Sequence, residues 1–362
     1  MPKDEIFWNP YRLIPVRRAI ERKSPLTDEK FTGQSGFIHC TIKNLTPLFI
    51  GGNRYNKQLF LTRNDRCVIP GTSLKGMLRS LAEVVGGGCN ITDAKGNYSS
   101  ENMPCKHANR LCIACRMFGM MQRVSVAKVH KGNISVGDAL VREKNPEVKS
   151  FQVLLYNKGT KHEPFYRTQS TGKLDGTSRK FYFHQPKRKE SVPTSAQTTQ
   201  ATPQPINAIM PEHHFDFVIQ FSNLRKEELE LLAYVLDLEE MVHVEIGEDK
   251  LKLSGTLRHK IGNAKPLGLG SCHLEVKKII YHADAPERFA AIDGKADTVY
   301  EGNDIKNELT ELKKKWVNDN SETMQQLRKM MVWDENDPRA FNYPDYYWFK
   351  NPVNSQKPLK EI

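Results

Sequence analysis

Four of the seven cysteines lie within a stretch of 27 residues: Cys89, Cys105, Cys112 and Cys115. Four thiolates arranged tetrahedrally around Zn²⁺ form a common structural metal site, and the CxxC spacing of the last two is typical of a zinc knuckle. His107 is an alternate ligand that could replace Cys89 or Cys105. Because four protein ligands leave no coordination position for water, we expect such an ion to be structural and not catalytic.

Buried cysteines without a metal are the alternative. The surrounding segment, GGGCNITDAKGNYSSENMPCKH, argues against this because it is polar and glycine-rich and cannot build its own core. A disulfide framework is also disfavoured, since the cysteine count is odd and the N-terminal residues have no apolar signal core. We therefore predict a zinc-binding insertion over residues 86–118.

A second candidate site is the segment IPGTSLKGMLRS, residues 69–80. A Pro-Gly turn leads into a predicted helix over residues 72–85, whose apolar residues have helical spacing and whose N-cap is predicted to be Thr72. Hydroxyls, free backbone N–H groups and two cations are typical of a phosphate cradle. An ordinary capped surface helix with solvated cations is the alternative. The candidate ligands are Thr72, Ser73, Lys75 and Arg79.

A third candidate is the glycine-rich stretch LRHKIGNAKPLGLGSC, residues 257–272. Its GLG triplet precedes a predicted strand and lets the backbone approach a ligand closely, while the nearby cations add positive charge. The alternative is a loop that needs glycine for its own conformation. No GxxxxGK[ST] motif occurs, so nothing indicates nucleotide hydrolysis. The candidate ligands here are Arg258, Lys265, Gly268 and Gly270.

The composition agrees with an anionic partner. The net charge is +12, from 54 Lys+Arg against 42 Asp+Glu, and counterion release from phosphates would convert that surplus into affinity for nucleic acid. A solvated basic surface, an anionic membrane surface or an acidic protein would also fit. No run of about 18 apolar residues is present, so we expect no membrane partner and a cytoplasmic location.

The elements that position these motifs follow an α+β plan. The segment GFIHCTIKNLTPL alternates apolar and polar residues, as a half-buried strand does. The predicted order is a strand over 36–47, the helix over 72–85, middle strands, a strand over 214–224, a helix over 225–238 and a strand over 273–280. This is the β-α-β-β-α-β order of a ferredoxin-like core with large insertions.

Five motifs together resemble proteins of the RAMP superfamily. They are TPLFIGG (46–52), IPGTSLKGMLRS (69–80), CIACRMFG (112–119), RKFYFHQ (179–185) and KPLGLGS (265–271), in that order. The chain is similar to the guide-RNA-binding backbone subunits of type III CRISPR effector complexes, and RKFYFHQ resembles most the subunits of type III-D and the fused type III-E effectors. The resemblance implies an RRM-like core, a projecting β-hairpin thumb and a zinc-bound insertion. It also implies guide (crRNA) and target RNA, with other RAMP subunits, as partners.

The predicted organisation follows from this resemblance. Residues 1–282 form the RAMP RRM-like domain, with the zinc-binding insertion at 86–118. Residues 141–213 form the thumb-like insertion, of which 186–210, rich in Pro, Ser, Thr and Gln, are expected to be mobile. Residues 283–362 form a C-terminal extension with one polar helix over 303–332 and an aromatic tail.

Catalysis by this chain is the open question. Slicing subunits of the resembled family carry an aspartate between the TPLFIGG-like and IPGTSLKG-like motifs, but no acid occurs from Lys30 to Asn64, and Asn56-Lys57 stand near the expected place. Asp65 is a weak catalytic candidate, better explained as a turn residue. We therefore expect a non-catalytic scaffold. The alternatives are a Mg²⁺-dependent slicing subunit that uses Asp65 or an acid from 157–178, and a zinc-stabilised RNA-binding module outside CRISPR.

Overall fold

The computed structural model describes ten segments of the chain, and the helices and strands fall within them. The described residues are 9–16, 20–51, 58–89, 103–121, 129–154, 178–188, 203–247, 250–291, 297–341 and 351–353. The helices are α1 (Gly71–Gly86), α2 (Ile113–Phe118), α3 (Lys226–Leu236), α4 (Ala285–Ala290), α5 (Asn303–Val317) and α6 (Glu322–Met331). The first nine strands are β1 (Tyr11–Pro15), β2 (Gln34–Asn44), β3 (Thr62–Arg63), β4 (Arg66–Ile69), β5 (Met120–Met121), β6 (Val129–His130), β7 (Ile134–Val136), β8 (Ala139–Val141) and β9 (Val148–Val153). The others are β10 (Ser178–Tyr182), β11 (Gln204–Ile209), β12 (His214–Leu224), β13 (Val242–Ile246), β14 (Leu251–Leu257), β15 (His259–Lys260), β16 (Ser271–Tyr281), β17 (Thr298–Glu301) and β18 (Val332–Trp333).

The chain is a mixed α+β protein organised around one curled sheet. Along the main sheet the strand order is β15-β16-β2-β12-β8-β4-β3, with β7 also paired to β12 and β17 to β16. The central pairs are antiparallel, and each contains one register shift, at Phe221/Leu224 in β12 and at Val276/Lys278 in β16.

One face of this sheet carries the hydrophobic core. On β2, Ile38, Cys40 and Ile42 are buried, as the alternation predicted. Helices α1 and α3 supply the facing apolar residues, among them Leu74, Leu78, Leu229 and Leu232. Burial of a Leu or Ile side chain contributes about 1.5–3 kcal/mol. Because the apolar residues of α1 recur with the helical period, the buried ones lie on the side of α1 that faces the core. The other sides of α1 remain available for a site.

The first helix begins and ends at clear signals. Pro70 is the N-cap, not Thr72, and the N–H of Gly71 is satisfied by the side chain of Asp138 at 2.8 Å. At the other end Gly87 has a left-handed conformation (φ 76°) and returns its N–H to the carbonyl of Glu83, a C-terminal turn that glycine makes without steric cost. The predicted helix boundaries are thus correct to within about one residue.

The C-terminal segment differs from the expectation. The single helix predicted over 303–332 is two helices, α5 and α6, broken between Val317 and Glu322. The Asp319 side chain accepts a hydrogen bond from the Ser321 N–H at 2.8 Å, which favours a turn at that point. Both helices pack on the core through Trp316, Met324 and Leu327.

The segment predicted to be mobile is partly ordered. Residues Gln204–Ile209 form β11, which pairs antiparallel with β9 over six residue pairs. Ile206, Ala208 and Ile209 are buried on this strand, and their burial stabilises it. The prediction of mobility was based on the polar residues that precede them and did not take these apolar residues into account. Pro186–Arg188 form a 3₁₀ turn, and residues 189–202 lie outside the described residues. Within the described ranges, every helix is too short or too polar to span a bilayer.

Candidate metal centre and nucleic-acid interface

The four clustered cysteines come together in space. Their sulfur atoms all lie within 4.8 Å of one another, and all four residues are buried. The Cys89 and Cys115 sulfurs are 3.6 Å apart. Sulfurs about 2.3 Å from a tetrahedral Zn²⁺ are roughly 3.8 Å apart, so this donor set fits a metal ion of that kind. We call these four residues the metal centre.

Local structure brings the four ligands to one point. Cys89 follows the left-handed turn at the end of α1, while Cys112 is the N-cap of α2 and Cys115 lies in its first turn. The N–H of Cys112 donates to the sulfur of Cys105 at 3.2 Å, and the N–H of Cys89 donates to the sulfur of Cys112 at 3.4 Å. Such N–H donors stabilise thiolates, which are the form that binds metal.

The sulfurs lie within hydrogen-bonding distance of one another. Hydrogen bonding to Cys112 and Cys115 lowers the pKa of the Cys105 thiol, whereas hydrogen bonding to Cys105 raises the pKa of the Cys115 thiol. A metal ion would replace these protons. His107, the alternate ligand, is exposed, and its backbone forms an isolated antiparallel β-bridge with that of Arg110. It is not part of the group that could hold the ion.

Arg79 lies beside the metal centre and not in an open phosphate cradle. Its guanidinium donates to Glu83 Oε1 at 2.8 Å, to the carbonyl of Gly119 at 2.7 Å and to the sulfur of Cys115 at 3.4 Å. Lys75, one turn earlier on the same side of α1, donates to the carbonyl of Ile134 at 2.8 Å. Burial, with the charges of Arg79 and Lys131, lowers the pKa of Lys75.

The start of α1 is also occupied by protein groups. The Asp138 carboxylate accepts from the N–H of Gly71 and forms a salt bridge with Arg63. The N–H groups of Ser73 and Leu74 donate to the carbonyl of Pro70. Because a carboxylate already occupies the positive end of the helix dipole, that end is not an open anion site. The side chain of Thr72 is exposed there.

A cleft of about 350 Å³ lies along another side of α1. It is lined by Ile50, Gly51, Ser73, Gly76, Met77, Ser80, Ile261, Gly262, Asn263 and Lys265. These residues come from three of the five sequence motifs and from the segment just before the last one. The structure therefore brings together Ser73 and Lys265 of the predicted ligands. We call this space the α1 cleft.

Two lysines beside the α1 cleft have no carboxylate partner. Burial lowers the pKa of Lys265, and burial followed by the charge of Lys265 lowers the pKa of Lys260 to about 7. Lys260 donates to the carbonyl of Phe183 at 3.0 Å and to the hydroxyl of Ser271 at 3.2 Å. In the described part of the chain neither lysine forms a salt bridge, so the pair is a concentration of positive charge without a counterion.

The two predicted glycine ligands serve the backbone. Gly268 and Gly270 have left-handed conformations, with φ of 95° and 79°. A Cβ on Gly270 would lie 1.8 Å from the carbonyl oxygen of Ile261, and a Cβ on Gly268 would lie 2.8 Å from Arg188. Both positions therefore need glycine for packing, and the loop they form holds Lys265 at the rim of the cleft.

The RKFYFHQ motif contacts this loop and the rest of the glycine-rich stretch through hydrogen bonds from His184 and Gln185. His184 Nε2 lies 3.0 Å from the carbonyl of Arg258, so this nitrogen carries the proton and Nδ1 accepts from the Ser271 hydroxyl at 2.9 Å. Burial and the charge of Lys260 hold the pKa of His184 well below its usual value. Gln185 donates to the carbonyl of Pro266 at 2.9 Å. The sequence predicted only a strand here, because nothing local reveals this packing.

Of the remaining candidates, Arg258 and Asp65 do not line the cleft. Arg258 is partly buried, burial lowers its pKa, and its Nε is buried without a hydrogen-bond partner among the described residues. Asp65 follows Asn64 in the turn between β3 and β4, with φ of 58° and 48°, in agreement with its interpretation as a turn residue. Asn56-Lys57, the acids of 157–177 and the tail aromatics Tyr343 to Phe349 lie outside the described residues.

The sequence was compared with models of known protein families. The family model of the RAMP superfamily matches residues 41–273, a span that contains all five motifs, the four cysteines of the metal centre and helices α1 and α2. No curated protein matches the sequence. The matched span covers more than half of the chain, so this chain belongs to the RAMP superfamily, a family that suggests a CRISPR-associated RNA-binding subunit.

Proposed function

We propose that this chain is a guide-RNA-binding backbone subunit of a type III CRISPR RNA-targeting complex, of the kind found in type III-D and III-E systems. One observation carries the proposal. Lys265 and its neighbour Lys260 are half-buried lysines that form no salt bridge with a described residue, burial lowers the pKa of both, and Lys265 lines a cleft built from the family motifs. A buried positive charge is costly unless an anion compensates it, and the phosphates of RNA would do so.

The cleft also offers hydrogen-bonding groups suited to a sugar-phosphate chain. Ser73, Ser80 and the amide of Asn263 line it together with Lys265. Hydroxyl and amide donors can bind phosphate oxygens, and the Ser80 hydroxyl, which donates to the carbonyl of Gly76 at 2.9 Å, can accept from a ribose 2′-hydroxyl. Neither contact reads base identity. Recognition of backbone and shape is what a subunit needs if it must hold guides of any sequence.

An exposed glycine on α1 supports close approach of the RNA. Gly76 lies in the helix interior, where glycine costs about 1 kcal/mol relative to alanine. A Cβ there would meet nothing within 4 Å, so packing within the described protein does not require glycine. Its neighbours along the exposed side, Thr72 and Ser80, are also small.

The strand order supports an RRM-like core. In chain order, β2, β7 with β8, β12 and β16 correspond to strands one to four, and their spatial order is four, one, three, two. Helix α1 lies between the first and second of these strands and α3 between the third and fourth, as in a ferredoxin-like β-α-β-β-α-β fold. The paired strands β9 and β11 would form the base of a thumb-like insertion that contacts target RNA or a neighbouring RAMP subunit.

The metal centre would hold a structural Zn²⁺. Four cysteine thiolates complete a tetrahedral shell, so the ion would contribute folding free energy and not a reactive water. Between β2 and α1 the described residues contain one acid, Asp65, and it lies in the turn between β3 and β4, which gives little support to the alternative, slicing role. We therefore assign target-RNA cleavage to other subunits, and Mg²⁺ binding would be expected only if the slicing role held.

The central test is the replacement Lys265→Ala, measured by guide-RNA binding across a salt series. Each phosphate contact on a single strand contributes about 0.7 to the slope of log K against log salt. We expect weaker binding and a slope reduced by about that amount. Lys252→Ala is the matched control, because Lys252 is an exposed lysine on β14 that is 81% accessible. An unchanged slope in Lys265→Ala would remove the α1 cleft from the RNA-binding surface.

A further inference from the structure

A buried carboxylate joins two arginines next to the metal centre. Glu83 is 4% exposed, and its two oxygens accept from different partners: Oε1 from Arg79 at 2.8 Å and Oε2 from Arg179 at 2.9 Å. Arg179 also donates to the carbonyl of Cys89 at 2.7 Å. The two arginines thus approach the cysteines from two sides, one through the Cys115 sulfur and one through the Cys89 backbone.

The charges of this group do not balance without the metal centre. Two guanidinium groups and one carboxylate leave one positive charge in a largely buried place, where Arg79 and Arg179 side chains are only 16% and 10% accessible. Four neutral thiols would leave that charge uncompensated, which is costly. Four thiolates around a divalent ion carry a net charge of −2 and would compensate it.

We propose that Arg79 is a positioning residue of the metal centre, held in place by Glu83 and Arg179, and not a ligand of the RNA. Its N–H donates to the Cys115 sulfur, stabilises the thiolate and fixes the direction of that ligand. This inference rests on the proposed metal binding. It gives a role to each of three side chains. Arg179 lies within the RKFYFHQ motif and Glu83 lies just after IPGTSLKGMLRS, but neither motif indicates a metal function.

Helix α1 carries both this group and the α1 cleft. Arg79 and Glu83 lie on one side of the helix, and Ser73, Met77 and Ser80 line the cleft on another. A helix moves as a unit, so disorder at the metal centre would also disturb the cleft. Loss of Arg79 would then weaken RNA binding only through loss of metal, without removing a phosphate contact.

The experiment uses the full-length protein and the variants Arg79→Met and Arg79→Lys, with Arg142→Met as the control. Arg142 is an exposed arginine paired with Asp216. Two quantities are measured: the rate of zinc release to excess chelator, and the salt slope of guide-RNA binding in metal-loaded protein. Replacing a residue that hydrogen-bonds to a metal ligand typically costs 10–100-fold in metal affinity.

For Arg79→Met we expect zinc release about tenfold faster or more, a shifted thiolate-to-metal absorption band in Co²⁺-loaded protein, and an unchanged RNA salt slope. Arg79→Lys keeps the charge and should be intermediate, and it remains informative if the methionine variant fails to fold. Zinc release equal to that of wild type in both variants, or a salt slope lowered by about 0.7, would overturn the proposal. Wild-type protein that holds no zinc would instead refute the metal site itself.

Discussion

Guide-RNA affinity should fall as the pH rises from 7 to 9, because Lys260, next to the α1 cleft, loses its proton in that range. Burial lowers the pKa of Lys260 to about 7 from the ordinary value of 10.5. In free protein Lys260 is therefore half protonated near pH 7 and mostly neutral at pH 9. A phosphate bound beside Lys265 would raise the pKa of Lys260 again, so RNA binding would take up a proton.

The size of this effect follows from proton linkage. If bound phosphate restored the pKa of Lys260 fully to 10.5, affinity would fall by roughly 50-fold between pH 7 and 9. Partial restoration gives less, so this is an upper bound for one lysine. Below pH 7 the free protein is already protonated, and the dependence should level off there.

The assay is guide-RNA binding at constant ionic strength from pH 6 to 9, with an adenine-rich oligonucleotide whose bases do not titrate in this range. Lys260→Met should flatten the profile, while Lys252→Ala should retain it. The sign can be checked through stability as well. Because the pKa of Lys260 is lowered by folding, its charged form destabilises the fold, so the methionine variant should be stabilised most below pH 7 and progressively less above it. A wild-type affinity that is constant from pH 7 to 9 would refute this account of the cleft.

Four further outcomes are expected. Elemental analysis should find about one zinc per chain, and Cys112→Ser should abolish it, with chelation lowering the thermal midpoint of wild type. Gly76→Ala should raise stability by about 0.5–1 kcal/mol in urea unfolding yet weaken RNA binding, and an unchanged affinity would contradict the close approach of RNA at that helix. Arg116→Met should cost up to about 3–5 kcal/mol, because the buried Glu228 carboxylate loses its closest cation and keeps only Arg225 at 3.6 Å, whereas Arg142→Met should cost less than about 1 kcal/mol. Asp65→Ala should leave every target-RNA cleavage product of the whole complex in place on a gel, and loss of one product with assembly intact would identify this chain as a nuclease.

Several elements that the sequence did not predict had a usable signal. Strands β13 and β14 alternate buried and exposed residues, as in Val242, Val244 and Ile246, which is the pattern used elsewhere to predict β2. The break between α5 and α6 had a weaker signal, the Asn-Asp-Asn-Ser stretch at 318–321, whose side chains compete with helical hydrogen bonds. The pairing of β1 with β10 had none, because contacts between distant segments leave no local period.

The succession of β2, α1, β12, α3 and β16 and the cysteine cluster that could hold a metal followed from the sequence alone. Apolar period and cysteine spacing are local properties, and thiols in a segment that cannot form its own core need some other means of stabilisation. Which cations remain available to RNA was decided only by tertiary structure. Lys75 and Arg79 share a side of α1 as their spacing requires, but groups on and next to α2 and β7 accept hydrogen bonds from both, whereas Lys265 lines the α1 cleft and forms no salt bridge with a described residue. The free energy of a charged side chain depends on burial and on partners from distant parts of the chain, and spacing along one helix does not contain that information.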